Sequence, residues 1–122
     1  MKPNSPRVAA FEAALSEASQ RVAAGDLAAA LSSLERAHVL GQRDIGPHLR
    51  VHLRMLRVAC AMGDGREARG QLLRILLTPI GHLTGRLPLG NTGASNVNAF
   101  EPMAIPPDLE RLLQDEDVGA RR

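Results

Sequence analysis

Tryptophan and tyrosine are absent from the 122 residues, and Phe11 and Phe100 are the only aromatic side chains. An apolar core must therefore be filled by Leu, Ala, Val, Ile and Met, a palette that favours helices over sheets. The same scarcity argues against nucleic acid as a partner, because no stacking side chain is interleaved with the arginines. The single Cys60 excludes an intrachain disulfide. No apolar run approaches the roughly 20 residues needed to span a bilayer, so membrane insertion is not expected. The longest run, around Ile75 to Leu77, is broken by Thr78 and Pro79. The opening Met-Lys-Pro-Asn-Ser-Pro-Arg lacks the apolar stretch of a secretory signal, and the expected location is the cytoplasm.

Charge is small in sum and uneven along the chain. Residues 1–40 balance to zero, residues 41–90 carry eight Arg against three acids, and residues 91–122 carry three Arg against six acids. A basic centre and an acidic tail can mark an acidic-partner surface, but they also suit a terminal helix lying on the basic centre of its own chain.

The length fits one domain, and the apolar spacing makes it all-α. Phe11, Ala14, Leu15, Ala18 and Val22 recur at steps of three and four and predict a helix over 8–24. Gly25 ends it and Asp26 caps a second helix running to about Val39, with Leu27, Leu31, Leu34 and His38 as its stripe. After a turn at 41–46, Pro47 sits in the first turn of a third helix reaching about Met62, where its missing amide costs nothing. Gly63 and Asp64 repeat the stop and cap, and a fourth helix over 66–77 is expected to turn Ala68, Leu72, Ile75 and Leu76 inward. The result is two packed helical hairpins. The Gly-Asp junctions stand 38 residues apart, and over residues 9–77 the pattern resembles tetratricopeptide repeats, with a longer period and without their aromatic positions.

Residues 78–106 hold Pro79, Gly81, Gly85, Pro88, Gly90, Gly93, Pro102 and Pro106 and are expected to form no regular helix. Leu83, Leu87, Leu89, Val97, Phe100, Met103 and Ile105 offer apolar anchors, so this long loop is expected to wrap the helices in an ordered way. A short final helix follows from Pro106 to about Leu113. Residues 1–7 are expected to be a flexible N-terminus, 8–114 one helical domain and 115–122 a flexible tail.

Three blocks carry a resemblance: Ala37-His38-Val39-Leu40-Gly41-Gln42-Arg43, Gly70-Gln71-Leu72-Leu73-Arg74, and Gly90-Asn91-Thr92-Gly93 continuing through Phe100-Glu101-Pro102-Met103-Ala104-Ile105-Pro106-Pro107-Asp108-Leu109. They look like the bacterial domain of unknown function 3703 family, and the resemblance covers nearly the whole chain. It implies a small bacterial protein with histidine-containing motifs, no assigned activity and a link to metal-resistance gene neighbourhoods. It implies no site residues.

The histidines form the sharpest constellation. At about 100° per residue the third helix sets Arg50, Arg54 and Arg57 on one stripe and His48 and His52 opposite it, in the middle of the apolar arc. His38 ends the stripe of the second helix, and the turn returns it towards His48. Glu35, one turn before His38, could join them. A Glu-x-x-His facing His-x-x-x-His can give four ligands to a mononuclear Zn, Ni or Cu ion, with Met55 as a soft ligand for Cu(I) and His82 as a closing ligand. The competing reading is a set of neutral core histidines bonded to each other or to loop carbonyls, with no ion.

Other candidates carry less. Gly90, Asn91, Thr92, Gly93 and Asn96 lie in a loop able to offer backbone amides, but the Gly-Lys-Ser/Thr ending of a nucleotide loop is missing. Cys60 falls beside Leu49 and Leu53 and is expected to be an inert core thiol, and the three arginines are expected to form a solvated face or meet the acidic tail. With no catalytic triad or acid pair in view, the chain is read as non-enzymatic. The preferred function is a small interaction module binding another protein through its helical surface and the Gly-Asn-Thr-Gly loop. The alternative is transition-metal binding through His38, His48, His52 and Glu35 in homeostasis or resistance.

Overall fold

The computed structural model describes residues 1–120, with side chains described through Glu116. It contains helices α1 (Pro6–Ala23), α2 (Leu27–Gly41), α3 (Ile45–Met62), α4 (Gly65–Thr84) and α5 (Pro107–Ala120), and no strand among the described residues. The order of the helices follows their stop signals. Gly25 and Gly63 take left-handed φ values of +78° and +69°, which only glycine adopts without strain. The adjacent Asp26 and Asp64 then accept from the amides of Ala29 and Glu67 at 3.1 and 3.0 Å, as N-caps do. Helices α1 and α2 pack as one hairpin, α3 and α4 as the other, and α2 against α3 joins them, with α5 laid across α1 and α2.

The core lies in α1, α2, α3 and α5. Phe11, Leu15, Leu34, Leu40, Val51, Met55 and Leu109 are its large buried members; of the expected stripes Leu27 and Leu31 are only partly buried, and Val22 is exposed. No helix among the described residues is long and apolar enough to cross a membrane.

Helix α4 departs from expectation in length and in orientation. It runs through Pro79 to Thr84 instead of ending near Leu77, so the irregular segment is 85–106. Proline removes one helical amide donor, but Thr78 remains buried and its hydroxyl donates to the Arg74 carbonyl at 2.6 Å. The buried residues of α4 are Glu67, Gln71, Arg74 and Thr78. Leu72 and Leu76, expected inside, are instead exposed with Leu73, Ile80 and Leu83, the last at 88 %. The helix is therefore polar on its inner face and apolar on its outer face. The reason is the long loop, which lies along α4 and offers carbonyls that polar side chains must meet. Arg74 donates to the Val97 carbonyl at 2.6 Å, Gln71 to the Gly93 carbonyl at 2.8 Å, and Glu67 accepts from the Ser95 amide at 3.1 Å and from its hydroxyl.

The loop lies across the helices, and hydrogen bonds tie it there. Gln42 clasps it from the end of α2, donating to the Pro88 carbonyl at 2.7 Å and accepting from the Gly90 amide at 3.1 Å. Leu83 and Phe100 do not act as anchors; Phe100 is 70 % exposed.

Several surface expectations change. Cys60 is exposed and not a core thiol, because the buried arc of α3 runs through Val51, Met55, Val58 and Ala59 and leaves Leu53 half in water. The arginine stripe faces α1: Arg50 pairs with Glu12 at 2.7 Å, and Arg54 donates to the Leu15 carbonyl and the Ser19 hydroxyl. At the N-terminus, Ser5 caps α1, and Arg7 is buried with Glu116 at 2.5 Å and Asp44 at 3.1 Å. The Arg7 hydrogen bond holds the Glu116 carboxyl down at about 2. The final helix thus extends beyond Leu113 and its Glu116 is fastened to α1, while residues 121–122 of the expected tail lie outside the described residues.

Candidate metal centre

Three helical positions and one loop carbonyl build the site. Residues four apart on a helix share a face, so His48 and His52 project together from α3 into its junction with α2, where His38 stands one turn from the helix end. All three are buried. Their Nε2 atoms form a nearly equilateral triangle, with His38 to His48 at 3.0 Å, His38 to His52 at 3.2 Å and His48 to His52 at 3.1 Å. Imidazole nitrogens bound tetrahedrally at about 2.05 Å from one ion lie about 3.3 Å apart. The three rings fit that geometry with a movement of only a few tenths of an ångström.

The outer nitrogens fix where the ring protons sit. His38 Nδ1 is 2.7 Å from the Asn91 carbonyl, which can only accept, so Nδ1 carries the proton. His52 Nδ1 is 2.7 Å from Gln71 Oε1. The Gln71 amide nitrogen is committed to the Glu67 carboxylate and the Gly93 carbonyl, so its oxygen must face His52 and accept. In the neutral rings both Nε2 atoms are therefore bare lone pairs, 3.2 Å apart with no proton for the space between them. His48 Nδ1 lies 3.0 Å from His82 Nε2. Even if His48 carries its proton on Nε2, that proton reaches only the two contacts of His48 and leaves the one between His38 and His52 without any.

The rings are held neutral. Burial, followed by the neighbouring His52 and His48, pushes His38 well below the ordinary 6.5. Burial, then His52 and His82, pushes His48 to about 3. Burial takes His52 to about 4, against the Gln71 hydrogen bond and with help from the Arg74 cation. Neutral imidazoles whose second nitrogen donates to a fixed acceptor are the form in which histidine binds metal.

Of the residues expected from sequence, His38, His48 and His52 come together and Glu35 does not. Among the described residues the convergent set is the three histidines alone. Glu35 is half-buried, its carboxyl raised by burial and by Glu67. Met55 lies in the apolar core. His82 enters behind His48 and not as a ligand on the shared point.

The Gly-Asn-Thr-Gly block is not an exposed interaction loop. Gly90, Asn91 and Gly93 are buried, Thr92 is half-buried, and only Asn96 is exposed. Its place is against the site: a Cβ added to Gly93, at φ +81°, would meet the His38 ring at 2.5 Å. The bare Cα lets the backbone press on the imidazole while the Asn91 carbonyl fixes its tautomer. The Gln71 and Glu67 contribution was not read from sequence. Its signal was the series Glu67, Gln71, Arg74, Thr78 and His82, polar at steps of three and four along an otherwise leucine-rich helix.

A family model described as "Protein of unknown function (DUF3703)" matches residues 6–113. No curated protein and no solved structure matches the chain.

Proposed function

We propose that this chain, which belongs to the family of proteins of unknown function DUF3703, binds one transition-metal ion through His38, His48 and His52. The observation that carries the reading is the facing pair of bare nitrogens, His38 Nε2 and His52 Nε2, 3.2 Å apart in a buried site. Two buried lone pairs without a proton repel, and a cation at their shared focus removes that cost. An all-imidazole donor set suits Zn(II), Ni(II) and Cu(II), whereas Cu(I) prefers sulfur. The asymmetric support of the rings, by a loop carbonyl, a glutamine tied to Glu67, and His82, is of the kind that orients metal-binding histidines. The role that follows is holding an ion, in metal homeostasis or resistance.

The test is stoichiometry. Untagged protein equilibrated with Zn(II), Ni(II) or Cu(II) and then desalted is expected to retain one ion per chain by elemental analysis. His38→Ala and His52→Ala are expected to retain none, and Glu35→Ala to retain one. Protein that elutes metal-free with all three ions sinks the reading.

The outer face of α4 favours a second role, the docking of a second copy of this chain. Leu73, Leu76, Ile80 and Leu83 follow each other at steps of three, four and three and are all more than half exposed, the spacing of a helix seam that can pair with its own copy. A stripe of this size is uncommon on a monomer. Light scattering on the purified chain is expected to give twice its 13.1 kDa, and Leu76→Arg with Leu83→Arg to give the single mass. A monomer before substitution removes this role and leaves metal binding standing.

A further inference from the structure

The three histidines close only one side of an ion. All three rings also help to line a solvent-open pocket of about 280 Å³. Its walls include Leu77, Ile80, Leu87 and Phe100, together with Arg74 and Arg86, and no aspartate or glutamate. Glu67, a buried carboxylate nearby, stands behind Gln71 and is occupied by Gln71 and Ser95. A divalent ion on three neutral imidazoles therefore keeps both of its positive charges, beside a buried guanidinium. Uncompensated charge in a buried site costs several kcal/mol, and protein sites with three ligands leave the fourth position to an exogenous one. Charge alone asks that this ligand be an anion.

Size and wall chemistry narrow it further. The space of about 280 Å³ beside the rings admits a ligand larger than a single hydroxide. The apolar walls favour a ligand whose body is hydrocarbon and whose head is a hard oxygen donor. Resting on the metal reading above, we propose that the open position takes a small monocarboxylate. One carboxylate oxygen meets the ion, the arginines offset its charge, and a short apolar body lies along Leu77, Leu87 and Phe100.

Co(II) in place of the native ion makes this measurable, because its visible bands respond to a change of ligand. Acetate, butyrate and benzoate are titrated into the Co(II)-loaded protein at pH 7. All three are expected to change the bands saturably. Butyrate should bind about tenfold more tightly than acetate, as two further buried methylenes require. Arg86→Gln is expected to retain one Co(II) and to weaken butyrate about fivefold. Bands unmoved by any of the three acids, in protein holding one Co(II) per chain, overturn the proposal and assign the position to water or hydroxide. Equal affinity for acetate and butyrate overturns the apolar part of it. Failure to hold Co(II), in protein that also elutes free of Zn(II), Ni(II) and Cu(II), overturns the metal reading and this inference with it.

Discussion

Zn(II) added to the ion-free chain at a thousand times its dissociation constant is expected to stabilise the fold by about 4 kcal/mol, since an ion that binds only the native state adds RT ln(1 + [L]/Kd). At the usual unfolding entropy per residue this raises Tm by roughly 15 °C for a domain of this length. His48→Ala and His52→Ala, each removing one corner of the triangle, are expected to abolish most of the shift. Gln71→Leu keeps all three ligands but takes away the acceptor that orients His52. Loss of such an outer partner weakens metal binding about 10- to 100-fold, so this variant should keep roughly half of the shift. Differential scanning calorimetry with and without Zn(II) measures all four. An equal shift in the wild type and in His52→Ala would place the ion elsewhere.

Lowering the pH from 7 to 5.5 is expected to remove about 4 kcal/mol from the stability of the ion-free chain. The sign follows from which state takes up protons. In the unfolded chain the histidines titrate near 6.5, whereas in the folded chain His48 and His52 are pushed to about 3 and 4 and His38 moves the same way. Between those values the unfolded state binds protons that the native state refuses. Each histidine then costs about 1.4 kcal/mol per pH unit as pH falls. The stability is fully present above 6.5 and lost progressively below it. Urea unfolding at pH 7, 6 and 5.5 reads the slope, and His52→Gln should lower it by about a third. A flat profile would mean the rings are not buried neutral. The same depressed values protect a bound ion, because protons begin to compete for the folded site well below pH 6.

The parts of the fold legible in the sequence are those governed by apolar burial and by caps. The stripes through Phe11, Leu34 and Met55 and the two Gly-Asp junctions describe α1 to α3, and the arc of α3 opposite its arginines puts His48 and His52 inside. The approach of His38 followed from the short turn. Helix α4 was not legible by that logic, because its inner face is chosen by hydrogen-bonding needs set by a loop that comes later in the chain. Leu72 and Leu76 follow the rule for burial and still face outwards. For the same reason the Gly-Asn-Thr-Gly block read as a free loop: nothing local says that the Asn91 carbonyl is the acceptor for His38. Glu35 shared a turn with His38 but not its direction.

The inverted helix also means that two kinds of contact hold the molecule together. Helices α1, α2, α3 and α5 share an apolar core. Helix α4 and the loop are joined instead by Gln71 to Gly93, Glu67 to Ser95 and Arg74 to Val97. Buried hydrogen-bonding groups become costly once their partners leave, so these contacts separate as a set. The acceptors for two of the three histidines, Asn91 and Gln71, belong to that set. The tautomer of His38 is set from the loop side of this seam and that of His52 from the α4 side. The aim of both rings therefore rests on the seam between α4 and the loop, and not on the apolar core that holds the histidines' own helices.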